Sequence, residues 1–180
     1  MPRYVAFLRA INVGGRTVKM DALRAIFEDL KLQRVSTFIA SGNVIFETRS
    51  SAAATLERRI ESKLREALGF DVATMLRTDA EVAAVAAYEP FGTSDEEVAG
   101  RTHVGFLSMA PNDLARIAID AMETAVDSFH VNGREVYWRC AVRLGESKFS
   151  NVKFEKATGT KVTFRNVTTV RKLSALYPPG

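Results

Sequence analysis

Histidine and cysteine are scarce in this chain of 180 residues: two histidines, His103 and His130, and one cysteine, Cys140. One cysteine excludes an internal disulfide. The three residues together cannot make the usual structural zinc site, so no metal is implied. No apolar run approaches the ~20 residues of a membrane span, which excludes a helical membrane anchor and a membrane partner. The opening residues lead straight into a strand pattern, so no signal peptide is expected and the expected compartment is cytoplasmic. The Gly-x-x-x-x-Gly-Lys-Ser/Thr and Gly-x-Gly-x-x-Gly spacings are absent. The glycine-and-aromatic signature of the RRM module is missing too. No cofactor is implied.

What is present fits a soluble globular protein: 47% apolar and 26% charged residues, ordinary proportions for such a chain. A chain of this size buries roughly 70% of its unfolded surface, enough for a core without staples. Charge is uneven along the chain. From Arg134 onward ten basic residues face three acidic ones, so this region carries +7 and the first 133 residues −3. Such asymmetry suggests a polyanion or phosphate partner, or else a solvated basic face.

Residues 4–10 are apolar at nearly every position and read as a central strand. A turn with Gly14 and Gly15 follows, then Met20, Leu23, Ile26, Phe27 and Leu30 at helical spacing. Residues 34–40 and 44–46 read as a hairpin around Ser41-Gly42-Asn43. Leu56, Ile60, Leu64 and Leu68 repeat along a second helix that Gly69 ends. Residues 71–77 are a further strand. This order is the ferredoxin-like plan. Thr78-Asp79-Ala80-Glu81 is a capping box opening a short helix through about residue 87. Residues 88–101, with Pro90, Gly92, Gly100 and an acidic run, read as an exposed connection.

A second cycle follows. Residues 102–109 are a strand, and Pro111 starts a helix with Leu114, Ile117 and Ala121 inward. Residues 126–131 and 134–141 flank Asn132-Gly133, the strongest short hairpin signal. Residues 148–158 are a helix closed by Gly159, residues 161–164 add a strand, and Asn166 caps a last helix with Val170, Leu173 and Leu176 inward. The predicted fold class is α+β, two ferredoxin-like subdomains in tandem. The predicted divisions are 1–78, a connection over 79–101, and 102–180. The repeat is one of topology, with no residue-by-residue correspondence visible.

Four places carry candidate chemistry. The turn holding Arg9, Asn12, Gly14, Gly15, Arg16 and Lys19 combines close backbone approach, cations and a helix start, as an anion or phosphate site does. A plain strand-to-helix turn needing glycine dihedrals is the other reading. Ser41 and Asn43 present a hydroxyl and an amide at the sheet end, where a reactive serine would need a base nearby. Lys161, Arg165 and Asn166 surround the start of the final helix, where Arg165 could pair with a phosphate while Asn166 caps. Tyr137 and Trp138 suggest base stacking on a sheet, although neighbours on a strand point to opposite faces. Cys140 and His130 read as interior or satisfied strand residues.

Three blocks carry a resemblance. They are Phe7-Leu8-Arg9-Ala10-Ile11-Asn12-Val13-Gly14-Gly15 with Val18-Lys19-Met20 and Leu23; Ser41-Gly42-Asn43-Val44 with Phe46; and Ser147-Lys148-Phe149, Glu155-Lys156 and Thr163-Phe164-Arg165-Asn166 with Val170 and Lys172-Leu173. Together they make the chain resemble the bacterial domain-of-unknown-function family 1697 from near its N-terminus almost to its end. The resemblance implies two ferredoxin-like halves that share or exchange strands. It implies no activity, substrate or catalytic residue. Ala10 stands where the family usually has glycine, and Val167 and Thr168 stand where it has tryptophan and asparagine.

The leading expectation is a binding protein for a phosphate-bearing ligand or nucleic acid. An enzyme acting on a small phosphorylated or acyl substrate is a second reading, with Ser41, Asn43 and Asn12 lining its pocket; no general base is evident for it. A structural module that forms a homodimer through a sheet edge is a third.

Overall fold

Every position of β1 (Arg3–Leu8) after Arg3 is buried, as its unbroken apolar run predicts. In the computed structural model, which describes residues 1–50, 52–92 and 95–180, the chain divides into two compact units. One comprises Met1–Val82 with Pro178–Gly180 and the other Ala83–Tyr177.

The first unit follows β1 with α1 (Met20–Asp29), β2 (Gln33–Thr37), β3 (Asn43–Glu47), α2 (Ala53–Leu68) and β4 (Thr74–Thr78). Its four strands pair antiparallel in the order β2-β3-β1-β4. Tyr4, Ala6 and Leu8 of β1 and Val44 and Phe46 of β3 share one core with Leu23 and Phe27 of α1 and Leu56, Ile60 and Leu64 of α2. The four-residue repeat on α2 thus lies against the sheet, and Gly69 closes that helix in the left-handed region at φ +80°.

The capping box forms as its residues predict. Glu81 N donates to Thr78 Oγ1 at 3.1 Å and Thr78 N to Glu81 Oε2 at 2.8 Å, opening α3 (Asp79–Ala87).

The second unit continues with α4 (Glu96–Gly100), β5 (Thr102–Leu107), α5 (Asp113–Asp120), β6 (Asp127–Asn132), β7 (Glu135–Cys140), a 3-10 turn (Leu144–Glu146), α6 (Asn151–Thr158), β8 (Val162–Asn166) and α7 (Val167–Leu176). Its sheet runs β6-β7-β5-β8, again antiparallel. Leu107, Phe129, Val136, Trp138 and Val162 form its core with Phe154 of α6. Both halves are therefore ferredoxin-like. Among the described residues each sheet is built from its own unit's strands, without the expected sharing or exchange of strands.

Besides shifts of a few residues at element ends, such as α6 starting at Asn151 and β4 at Thr74, four details differ from the sequence reading. Residues 38–40 leave β2 and form a loop, because Ile39 takes φ +51°. The connection after residue 88 holds α4, capped by Asp95 and with Ala99 buried; Thr93 and Ser94 lie outside the described residues. Helix α5 is capped by Asn112 rather than started by Pro111, and it buries Ala115 and Ile119. Leu114 and Ile117, expected inward, are 78% and 64% exposed, and Ala121 is exposed as well. The helix is apolar on two sides, so spacing alone could not choose between them. Leu176, also expected inward, is 61% exposed at the end of α7.

At the end of β4 and of β8 the two halves also match in individual residues, which their sequences hide. Arg77 pairs with Val5 across β4 and β1, and Arg165 with Val104 across β8 and β5. Both arginines are buried. Each donates Nη1 to the carbonyl of the residue before it, Leu76 or Phe164, at 2.9 Å. A capping residue follows each, Thr78 or Asn166.

Candidate functional site

β1 ends at Leu8, where its N–H donates to Gly42 O at 2.8 Å, and the next N–H, of Arg9, donates to Ala73 O at 2.9 Å. The chain then departs from ordinary backbone. Ala10 (φ +59°), Asn12 (+57°), Gly14 (+61°) and Gly15 (+83°) are all left-handed. Val13 and Arg16 bridge across the glycine pair, with Arg16 N donating to Val13 O at 3.2 Å. Two positive φ values at the centre of a two-residue loop make a primed turn, the geometry for which Gly-Gly is suited. The glycines therefore close their own tight turn, and α1 begins only at Met20. They do not sit at the helix start, as the sequence suggested.

Asn12 locks this loop to its neighbour. Its Nδ2 donates to Ala40 O at 2.8 Å, while its Oδ1 accepts from Val18 N at 2.7 Å. The neighbouring loop, residues 38–42, is braced by Asn43, which is fully buried. Asn43 Nδ2 donates to Phe38 O at 3.0 Å and to Ser41 Oγ at 2.9 Å. Gly42 is required here twice over. Its φ is +78°, and a Cβ would lie 3.1 Å from Leu8 Cβ, 3.2 Å from Ile11 Cβ and 3.3 Å from Leu8 O.

The structure thus gathers Arg9, Asn12, Gly14, Gly15, Arg16, Lys19, Ser41 and Asn43 at one end of the first sheet. The Arg16 guanidinium stacks over Phe70, 4.8 Å from the ring centroid. Lys19 is exposed and occupies the N-cap of α1 without a side-chain cap bond. Among the described residues, no acidic side chain pairs with Arg16 or Lys19. Nor does any imidazole or carboxylate hydrogen-bond to Ser41, whose hydroxyl serves the loop brace.

Lys161, Arg165 and Asn166 lie in the second unit, where Lys161 and Asn166 stand at opposite ends of β8. Lys161 is exposed just before β8, and Asn166 ends that strand, roughly 16 Å away at ~3.3 Å per residue. Arg165 is 8% exposed. Its Nη1 donates to Thr163 Oγ1 at 2.7 Å as well as to Phe164 O, and burial lowers its pKa to about 10. Asn166 Oδ1 accepts from Thr168 N at 2.9 Å, and its Nδ2 donates to Gly100 O at 2.9 Å. Tyr137 and Trp138 face opposite sides of their sheet, both buried.

The remaining reactive residue types are placed as follows. Cys140 is buried and donates to Val142 O at 3.1 Å. His130 meets the Tyr88 hydroxyl at 2.7 Å. His103 packs against Trp138 with ring centroids 5.0 Å apart and the rings tilted by 33°. It also lines a cavity of about 310 Å³ with Gly100, Arg101, Cys140, Val142, Arg143 and Leu144. Among the described residues, no three His, Cys, Asp or Glu side chains gather as metal ligands, and no helix is long and apolar enough to cross a membrane.

The sequence reading missed the left-handed residues Ala10 and Ile39. For position 10 a signal existed, the glycine that the resembling family usually carries there. For Ile39 there was none, since a β-branched residue argues against positive φ.

Among curated proteins, none matches this sequence. The solved structure of the conserved bacterial protein SP0830 from Streptococcus pneumoniae resembles the chain with a TM-score of 0.74 and 24% identity, over 99% of each chain. That likeness shows the fold alone. A family described as a protein of unknown function, DUF1697, matches residues 1–137. The match takes in both loops gathered at the end of the first sheet and most of the second sheet, so this chain belongs to the DUF1697 family.

Proposed function

We propose that this protein binds a phosphate-bearing ligand, and that the loop pair 9–19 and 38–43 of the first unit is where it binds. One observation carries the reading: of the five non-glycine residues with positive φ among the described residues, three, Ala10, Asn12 and Ile39, lie within these two adjoining loops, while Lys31 and Arg34 lie outside them. For Ala10 and Ile39 this costs on the order of 1–2 kcal/mol each, whereas asparagine tolerates it. Strain of this kind clusters at ligand clamps and active sites and persists where surrounding contacts hold it. Here the amides of Asn12 and Asn43 hold it.

The loops present what an anion needs. Arg16 and Lys19 are exposed, and Arg9 stands at the loop's root. Gly14 and Gly15 have open space where a side chain would stand, so a phosphate can approach their backbone closely. The α1 start adds N–H groups without a side-chain cap. The cytoplasm, where a lone cysteine stays reduced, is the compartment this reading assumes.

The test is fluorescence anisotropy with a labelled single-stranded RNA, together with thermal shift in inorganic phosphate, pyrophosphate and nucleotides. Arg16→Gln combined with Lys19→Gln is expected to weaken binding by at least about tenfold, the loss of one charge-assisted hydrogen bond. Unchanged affinity in that variant would remove these loops from the site.

A further inference from the structure

Asp127 opens β6 and is 3% exposed. Its carboxyl group accepts from Trp138 Nε1 at 2.9 Å, from Ser147 Oγ at 2.9 and 3.0 Å, and from Thr124 Oγ1 at 3.2 Å. All three donors are neutral. Among the described residues, no Lys, Arg or His comes within ion-pair distance of it. The carboxyl group is thus held by neutral hydrogen-bond donors rather than by a cation.

The same group lines a cavity of about 200 Å³ with Met122, Thr124, Lys148, Phe149 and Lys153. Thr124, Lys148 and Lys153 are exposed at its rim, while Met122 and Phe149 are partly buried walls. Phe149 is held by rings on several sides, Trp138 at 4.5 Å and Phe129 at 5.2 Å between centroids. Lys153 Nζ donates to Lys148 O at 2.8 Å, and no acidic side chain among the described residues pairs with either lysine.

The cavity therefore has an acceptor-only floor, apolar walls and a cationic rim. A plain anion would meet Asp127, and a plain cation would meet the lysines. We propose that this cavity binds a small organic anion that carries an amino group. The amino N–H groups point to Asp127, a flat or apolar body lies between Met122 and Phe149, and the anionic group stays at the rim with Lys148 and Lys153. The volume sets that division. It falls below the ~300–1,000 Å³ of pockets that enclose a whole drug-sized ligand, so a single ring or side chain enters and the charged end remains outside. An amino acid whose amine and carboxylate stand at opposite ends of its body and an amine-bearing nucleotide share this chemistry. The lining residues all belong to the second unit, and Ser147-Lys148-Phe149 is a block the phosphate reading leaves unused.

Trp138 is the chain's one tryptophan, and its indole N–H donates to Asp127. Its indole proton resonance therefore reports occupancy. The full chain is titrated with two matched pairs, CMP against UMP and 4-(aminomethyl)benzoate against 4-methylbenzoate, each pair differing at the amine. The expected result is that the amine-bearing member of one pair moves the Trp138 resonance and binds at least about tenfold more tightly than its partner. A response in the nucleotide pair assigns that source, and one in the amino-acid pair assigns the other. Lys148→Gln, at an exposed position, should weaken the responding compound by about tenfold and leave the free protein's resonance in place. Asp127→Asn keeps an acceptor for Trp138 and should erase the preference within the pair. If it does not fold, the Lys148→Gln comparison still decides. Arg16→Gln with Lys19→Gln should leave this response unchanged, which separates it from the first-unit site. No movement of the resonance at millimolar concentrations, or equal binding within both pairs, overturns the proposal.

Discussion

Ala10 holds φ +59° with a methyl group that opposes it. Left-handed backbone costs a non-glycine residue ~1–2 kcal/mol, and glycine gives back roughly 0.5–1 kcal/mol in chain entropy. Ala10→Gly is therefore expected to stabilise the protein by about 0.5–1 kcal/mol, read as a higher urea midpoint at constant slope. A lower midpoint would mean that residue 10 carries no strain. His103 makes a different demand. Its Nδ1 is buried with no hydrogen-bond partner among the described residues, and burial lowers its pKa below the ordinary 6.5. Below pH 6.5 the unfolded chain takes up a proton that the folded chain refuses until its own lower pKa is reached. Stability is therefore lost as pH falls through that window. His103→Phe keeps a ring against Trp138 and removes the titration. The drop in urea midpoint between pH 7.5 and 5.5 should be smaller in this variant than in the parent. An equal drop would assign the pH dependence to other groups.

The helices supply acceptors to the open edges of both sheets. β4 and β8 are edge strands, and an edge strand's outward N–H groups invite pairing with other chains. On α2, Glu61 Oε1 accepts from Thr74 N and Glu57 Oε1 from Leu76 N, both at 2.9 Å. On α6, Glu155 Oε1 accepts from Val162 N at 3.1 Å. Thr74 and Val162 pair with Leu8 and Leu107, so these are equivalent places in the two halves. Glu61→Ala is expected to cost about 1 kcal/mol and to speed amide exchange at Thr74 while leaving Val162 protected. Unaltered exchange at Thr74 would show that the carboxyl does not shield it. This correspondence was invisible in the sequence because Glu61 precedes its strand by 13 residues and Glu155 by seven, an offset that defeats alignment. Elements whose chemistry is local were legible. The Thr78–Glu81 box and the Asn132-Gly133 hairpin each contain their own partners within a few residues. The buried side of α5 was not, because Leu114 and Ile117 compete with Ala115 and Ile119 and only the surrounding packing chooses.

Charge at the scale of the whole molecule departs from charge along the chain. The first unit holds thirteen Lys and Arg against ten Asp and Glu, a net +3, and the second holds twelve against eleven, a net +1. The basic stretch after residue 133 belongs to the same unit as the acidic residues between Glu89 and Asp127, so most of its +7 is offset within that unit. Chain order suggested a polyanion surface near the C-terminus; the folded units put the larger net charge on the half that carries the left-handed loops. This difference gives the phosphate reading a quantitative form. If a single-stranded nucleic acid is held by Arg9, Arg16 and Lys19, three phosphates are neutralised. The slope of log affinity against log salt should then be about −2, at ~0.7 per contact. Arg16→Gln should reduce the steepness by roughly 0.7. A slope steeper than about −4 would require some six contacts, more than these loops offer. It would bring Lys148, Lys153, Lys156 and Lys161 of the second unit into the interface in place of the first-unit site.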